Sequence, residues 1–516
     1  MARAGALAGA LVLVAIPATA QTDASWSQFQ GDAGHTGYAA QGPAPGYSID
    51  WTMPVPSGGP DDQYGLSAPV VTGDLVVAVG PEEVIGVTAS TGAPAWSVER
   101  DFGPSASAAI ASTAQGDAVV YTEGFGTGPP DPGASSAAAS EEPTATASAS
   151  PSNPPGDPLG ESAVVDSHLA AFDLRTRKPL WDPVPLDAVS RTGVTVEGSM
   201  AYLGVNGGIV YGIDLERGEV SWQVELGRIV ATPIAVQDGT VLVGLQLSSE
   251  DPRPAVVALE AGSGEERWRL DDQGTAGIVS ATSVTDGVVY AAFSGGQESS
   301  IDAIDLDSGE RRWRTRFPRF FDLSATAPPV VTDDGVYATD TQGETYRLDL
   351  ATGERTWEFA LNQGVLRAAP LVVSDSLLVA MIDGALAALD TSTGDLVWRD
   401  AGDGFPLRAL AVAGDRVVAV RSGAQAGLVA FAHDDEVALV RELSPTQLDP
   451  ASLAGSFAAA AIAIGALVLL AGRLLVGRMG PAFADGVELE GARDANPDPD
   501  SDDDDDEGPD DPEAGR

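Results

Sequence analysis

Short runs of alternating apolar and polar residues, bounded by turn residues, fill most of the chain between residues 26 and 443. A period of two puts successive side chains on opposite faces of a strand, so the pattern predicts β-structure and no long helix in this stretch. Ala231-Thr232-Pro233-Ile234 with Thr240-Val241-Leu242-Val243, and Ala327-Pro328-Pro329-Val330 with Gly335-Val336-Tyr337-Ala338, read as paired inner strands of small sheets. A third strand, such as Ala387-Ala388-Leu389, runs into Asp390, with Gly394 four residues on and Trp398 four beyond that. The carboxylate suits the N–H groups of a tight turn, the glycine supplies a positive φ, and the tryptophan opens the returning strand.

This phrase recurs. It ends at Trp96, Trp181, Trp222, Trp268, Trp313, Trp357 and Trp398, at intervals of 41, 46, 45, 44 and 41 residues from Trp181 onward. Eight residues before the tryptophan stand Asp173, Asp214, Asp305, Asp349 and Asp390, with Glu260 and Thr88 as variants. Four before it stand Gly92, Gly218, Gly264, Gly309, Gly353 and Gly394, whereas Arg177 breaks the rule and predicts a looser hairpin. A period of 40 to 50 residues is that of a four-stranded propeller blade. Trp96 and Trp181 are 85 residues apart because residues 124–163, rich in Pro, Ala, Ser and Thr, interrupt the copy as an exposed disordered loop. A degenerate last copy spans Leu407 to Leu443, with Val440 in the tryptophan position. The expected fold is all-β, an eight-bladed propeller over residues 26–443, with seven blades as the alternative. Trp51 is expected on an outer strand that closes the ring against the last blade, beside the Val440 strand.

Two apolar runs lie outside the repeat. Residues 1–20, with Arg3, an apolar stretch from Leu7 to Ile16 and Ala18-Thr19-Ala20, read as a cleaved secretory signal. Residues 451–472 carry no charge and are long enough to cross a bilayer as a helix. Arg473 and Arg478 follow, so the expected topology is a single-pass cell-membrane protein with the propeller outside and the C-terminus cytoplasmic. The tail, residues 479–516, holds 15 acidic and two basic residues and is expected to be disordered.

Composition narrows the chemistry. A net charge of -47 argues against nucleic acid as a partner, since a phosphate backbone needs a basic face. Without a single cysteine the chain has no disulfide, thiolate metal site or cysteine nucleophile.

Written across the copies, the phrase is apolar-Ala-Leu/Ile-Asp-x-x-Thr/Ser-Gly-Glu-x-x-Trp. It resembles the repeat of the PQQ-like (pyrroloquinoline-quinone-type) β-propeller superfamily over about residues 26 to 443, as does the opening Trp26-Ser27-Gln28-Phe29-Gln30-Gly31-Asp32 with His35-Thr36-Gly37. In the quinoprotein dehydrogenases, the resemblance implies a quinone and calcium in the central funnel, with an Asp as base and often a vicinal disulfide. Here there is no cysteine, the only histidines are His35, His168 and His433, and only Trp26 and Trp51 stand outside the seven repeat tryptophans. The other branch, which includes the lipoprotein of the outer-membrane assembly machine, binds proteins without a cofactor. The chain is expected to follow that branch: no cofactor, no enzymatic activity, and an envelope protein or glycan as partner. A quinoprotein oxidoreductase and a receptor signalling through the acidic tail are the alternatives.

Among other constellations, Asp61-Asp62, Asp271-Asp272, Asp333-Asp334 and Asp434-Asp435 lack the alternating loop that calcium favours and read as turns. Arg312, Arg314 and Arg316 line up on one face of a strand and form with Phe320 and Phe321 a candidate interaction patch, with outer-strand arginines paired to neighbouring carboxylates as the alternative reading.

Overall fold

The computed structural model describes residues 26–442, apart from 56–64, 125–166, 231, 247–252, 273–277, 295–298, 318–326, 366–367 and 441. The signal segment, most of the proline-rich insert, the apolar segment 451–472, the acidic tail, Phe320 and Phe321 therefore lie outside the described residues.

Eight sheets of antiparallel strands follow one another along the chain, and Tyr38–Ala39 adds to the seventh in parallel. Blade 1 comprises Val70–Thr72, Leu75–Val79, Glu83–Thr88 and Pro94–Glu99. Blades 2 to 7 begin at Ala109, Thr195, Ala235, Ile278, Val330 and Leu371. Blade 8 takes Leu407–Ala413, Arg416–Arg421 and Gly427–His433 from the C-terminal side, and its outer strand, Tyr47–Pro54, from the N-terminal side. Tyr47 to Pro54 pairs antiparallel with Gly427 to His433, so one blade joins both ends of the repeat and the ring has no free edge at the seam. The count is eight, not seven. No α-helix occurs among the described residues, and none of their helices is long and apolar enough to cross a membrane.

The expected position of Val440 is corrected. Its N–H donates to Val397, and Glu442 exchanges backbone bonds with Leu396, so this segment lies along the outer edge of blade 7. Trp51, directly opposite Ala430, fills the tryptophan position of blade 8 instead. A strand that already pairs with its neighbour leaves no place for a second outer strand.

The turns are also tighter than expected in one case. Arg177 adopts φ +57° and its N–H bonds Asp173 at 2.7 Å, the closure that Gly218 makes on Asp214 at 2.8 Å. The hairpin beside the insert thus matches the others, at the cost of a left-handed conformation that arginine disfavours.

Blades pack through their alternating side chains. Between blades 1 and 8 and around through blade 7, Val76, Ala78, Val87, Leu378, Val418 and Val429 are fully buried in one continuous core. Each such aliphatic side chain contributes about 1.5–3 kcal/mol when taken from water.

Candidate functional site

The repeated tryptophan is a clasp between neighbouring blades. The Trp181 indole N–H donates to the Leu215 carbonyl at 3.0 Å, Trp222 to Ala261 at 2.8 Å, Trp268 to Leu306 at 2.7 Å, Trp313 to Leu350 at 2.8 Å and Trp357 to Thr391 at 2.8 Å. Each acceptor is the residue after the repeated acidic position of the next blade. Trp51 does the same to Ala89 across the seam at 2.8 Å. The remaining two junctions use edge-on aromatic pairs, Trp96 with Phe172 and Trp398 with Tyr47.

The turn glycine serves this clasp twice. Gly394 has φ +74°, and a Cβ on it would lie 2.6 Å from Cδ2 of Trp357, so the indole lies directly on bare backbone. Gly218, Gly309 and Gly353 receive Trp181, Trp268 and Trp313 in the same way. The repeated carboxylates bind their own turns: Asp173 accepts from the Thr176 N–H, Asp214 from Glu216 and Arg217, Asp305 from Ser308, Asp349 from Ala351 and Thr352, Asp390 from Ser392 and Thr393. These residues hold the scaffold together.

A feature with no signature in the repeat closes one end of the central channel. Residues 26–39 run around the axis and offer backbone carbonyls to the inner strands in turn. Trp26 accepts from Val71, Ser27 from Ile110, Ala33 from Val236, Gly34 from Val284, Thr36 from Val331 and Gly37 from Val372. For blade 3 the Gln28 side chain substitutes, accepting from the Val196 N–H at 2.8 Å and donating to its carbonyl at 3.0 Å. His35 is wholly buried in this strap, and burial pushes its pKa down to about 3, so it is neutral.

Above the strap lies a funnel of about 320 Å³, whose lining includes Phe29 and Gln30 of the strap. Its wall is built of small residues from the starts of the inner strands, such as Ala68, Ala106, Ser107, Ala369 and Ala409, with Arg191 and Arg408 as its ionisable groups. A quinone with calcium asks for carboxylate ligands, a carboxylate base and a flat ring surface. The described lining offers no carboxylate and no indole, and its one ring, Phe29, meets His35 edge-on at 5.1 Å. The residues present do not fit that group.

The structure also redraws the arginine patch. A bulge opposite Ala303 and Ile304 breaks the alternation in Arg311–Phe317, so Arg311 and Arg314 both reach Asp302. Arg314 binds Asp302 and Asp272, each at 2.8 Å, with both carboxylates buried, and lies 5.7 Å from the Phe293 ring centroid. Burial opposes its charge, yet the two carboxylates outweigh it and hold the guanidinium above its ordinary range. Arg314 is thus an internal tie between blades and is corrected out of the patch. Arg312, the bulged residue, pairs with Asp305 on the surface, and the Arg316 carbonyl accepts from Arg355. Asp271 and Asp272 pair with Arg228 and Arg314, and among the described residues no three His, Asp or Glu side chains gather as a metal site.

The family described as outer membrane protein assembly factor BamB matches residues 165–314 and 297–479, more than half of the chain. The BamB of Yersinia pestis is 28% identical over 210 residues, 37% of this chain and 51% of that protein. The serine/threonine-protein kinase AfsK of Streptomyces griseus is 35% identical over 165 residues, 30% of this chain and 19% of the kinase. The chain thus spans about half the length of the BamB relative and much less of the kinase. Among solved structures, BamB from Moraxella catarrhalis superimposes with a TM-score of 0.51 at 20% identity, covering 76% of this chain and 98% of that one. Quinohemoprotein alcohol dehydrogenase ADHIIG from Pseudomonas putida HK5 gives 0.53 at 12% identity, covering 79% and 80%. At these identities the structural likeness is one of fold. By the extent of its family match and by its closed eight-bladed ring, the chain belongs to the BamB family of PQQ-like β-propellers.

Proposed function

We propose that this protein is a non-catalytic propeller of the cell envelope that works by binding another protein. It is anchored by residues 451–472, with the ring outside and the acidic tail in the cytoplasm. The observation that carries the reading is the funnel face: a recessed surface on a rigid ring, walled by small side chains and bearing two guanidinium groups, Arg191 and Arg408. Such a surface recognises by shape and charge, because the described lining supplies no base to activate its serine and threonine hydroxyls. The family's description as an assembly factor supports the same kind of work.

The test is co-purification of crosslinked partners with the full chain and with its R191E/R408E double variant. A partner captured by the natural chain and lost on charge reversal, with the circular dichroism spectrum of the folded ring retained, is the expected result. Equal recovery from both chains overturns the reading. Incubation with quinone and calcium is expected to give no dye reduction.

Topology is tested separately, and the absence of native cysteine makes it clean. Ser221→Cys in blade 3 should react with a membrane-impermeant maleimide on intact cells, and Ser501→Cys only after permeabilisation. Labelling of both on intact cells refutes the proposed orientation.

A further inference from the structure

We propose that a second cavity, on the flank between blades 1 and 2, is a carbohydrate-binding site for a neutral, hydroxyl-rich sugar. This goes beyond the protein-binding reading and stands or falls without it.

Blade 2 departs from the repeat in its outer strand as well as in its long insert. Its outer strand, Val184–Leu186, is short and is preceded by Pro179, Trp181 and Pro183. Proline has no N–H for the ladder, so regular pairing with Ser167–Asp173 lapses around Ala170 and a cavity of about 360 Å³ opens. Arg177, the residue in the left-handed conformation where other blades use glycine, also lines it. Concentrated local strain of this kind is tolerated where a site over-determines the backbone.

The lining combines aromatic surface with polar groups already held in place. Trp181 is only half-buried, as are Trp96 and Trp268, whereas Trp222, Trp313, Trp357 and Trp398 are buried. Its indole N–H is committed to Leu215, which fixes the ring as part of the wall. Arg100 is 7% exposed and donates to the carbonyls of Gly80 at 2.6 Å and Pro104 at 3.2 Å, while its Nε has no partner. Glu123 is 8% exposed and accepts from the Asp101 N–H at 3.3 Å, and burial raises its carboxyl above the usual range.

This donor set selects among ligand classes. Glu99, Asp101 and Glu123 against Arg100 and Arg177 nearly balance, which disfavours a strongly charged ligand. A sugar ring presents an apolar C–H face for an indole and a rim of hydroxyls that both donate and accept, which suits a guanidinium and a carboxyl side by side. The volume is that of a small-ligand pocket.

Calorimetric titration of the full chain with chitotriose and with maltotriose tests the proposal. Saturable binding of at least one is expected. Glu123→Gln, which keeps the side chain's shape, should weaken it about tenfold or more by removing a charge-assisted hydrogen bond. Arg177→Gly, which restores the residue of the other blades, should weaken binding while raising the melting temperature. Absence of binding by both sugars up to about 10 mM, where even a millimolar dissociation constant is measurable, overturns the proposal. So does undiminished binding by both variants.

Discussion

At the residue scale, the turn glycines separate two costs that usually come together. Gly394 needs both its positive φ and its missing Cβ, whereas Gly414, at φ +62°, has nothing within 4 Å of the place a Cβ would take. Gly414→Ala should therefore cost only backbone strain, about 1 kcal/mol, and Gly394→Ala clearly more, by urea denaturation. Asp302→Ala leaves Arg314 with Asp272 alone and takes the carboxylate partner from Arg311, and is expected to cost about 3–5 kcal/mol, while Arg312→Ala on the surface should stay within about 0.5 kcal/mol. Asp340 is a pH probe: burial raises its carboxyl to about 6 despite N–H bonds from Glu344 and Gln342. Its folded pKa lies above its unfolded one, so the native state binds more protons between them and stability falls as pH rises from about 4 through about 6. Asp340→Asn, which keeps an acceptor for both N–H groups, should flatten that slope in thermal melts. The Asp, Gly and Trp positions are legible in the sequence because they recur. The fate of Arg314 is not, because one bulged residue shifts a period-two reading by a register.

At the element scale, the strap carries no periodicity and has no copy elsewhere in the chain, so spacing does not disclose its path around the axis. Its structure is written in other elements' unpaired edges: the inner strands of blades 1 to 7 each present an N–H that the strap accepts, and a buried N–H without a partner costs about 1–3 kcal/mol. Hydrogen exchange should show Val236, Val284, Val331 and Val372 amides slow in the natural chain. Deleting residues 26–37 should make these amides exchange rapidly, even if the outer strands keep their protection. The tryptophan clasp works between elements in the same sense, since six of the eight indoles donate to the following blade rather than to their own.

At the scale of the whole molecule, stability depends on the seam. If the Trp51 junction is equivalent to those within the repeat, Trp51→Ala and Trp357→Ala should each cost about 3–5 kcal/mol in denaturant unfolding. A near-neutral Trp51→Ala would mean that the ring does not rely on its N-terminal strand. The seam is foreseeable because a ring of sheets must satisfy its last edge, and Trp51, 45 residues before Trp96, is available to do it. Its partner is not: Val440 matches the spacing, but spacing does not say which of two strands reaches an edge first. By itself, the sequence determined what is local and repeated: strand alternation, the carboxylate and glycine of most turns, the indole period, and with them the type of sheet and a count of eight or seven. Tertiary structure alone decided what depends on groups far apart in the chain meeting at one point. The strap seals the channel, Asp302 draws in two arginines, and prolines next to Trp181 leave a cavity against blade 1, because burial and hydrogen-bond satisfaction are settled by neighbours that no sequence interval specifies.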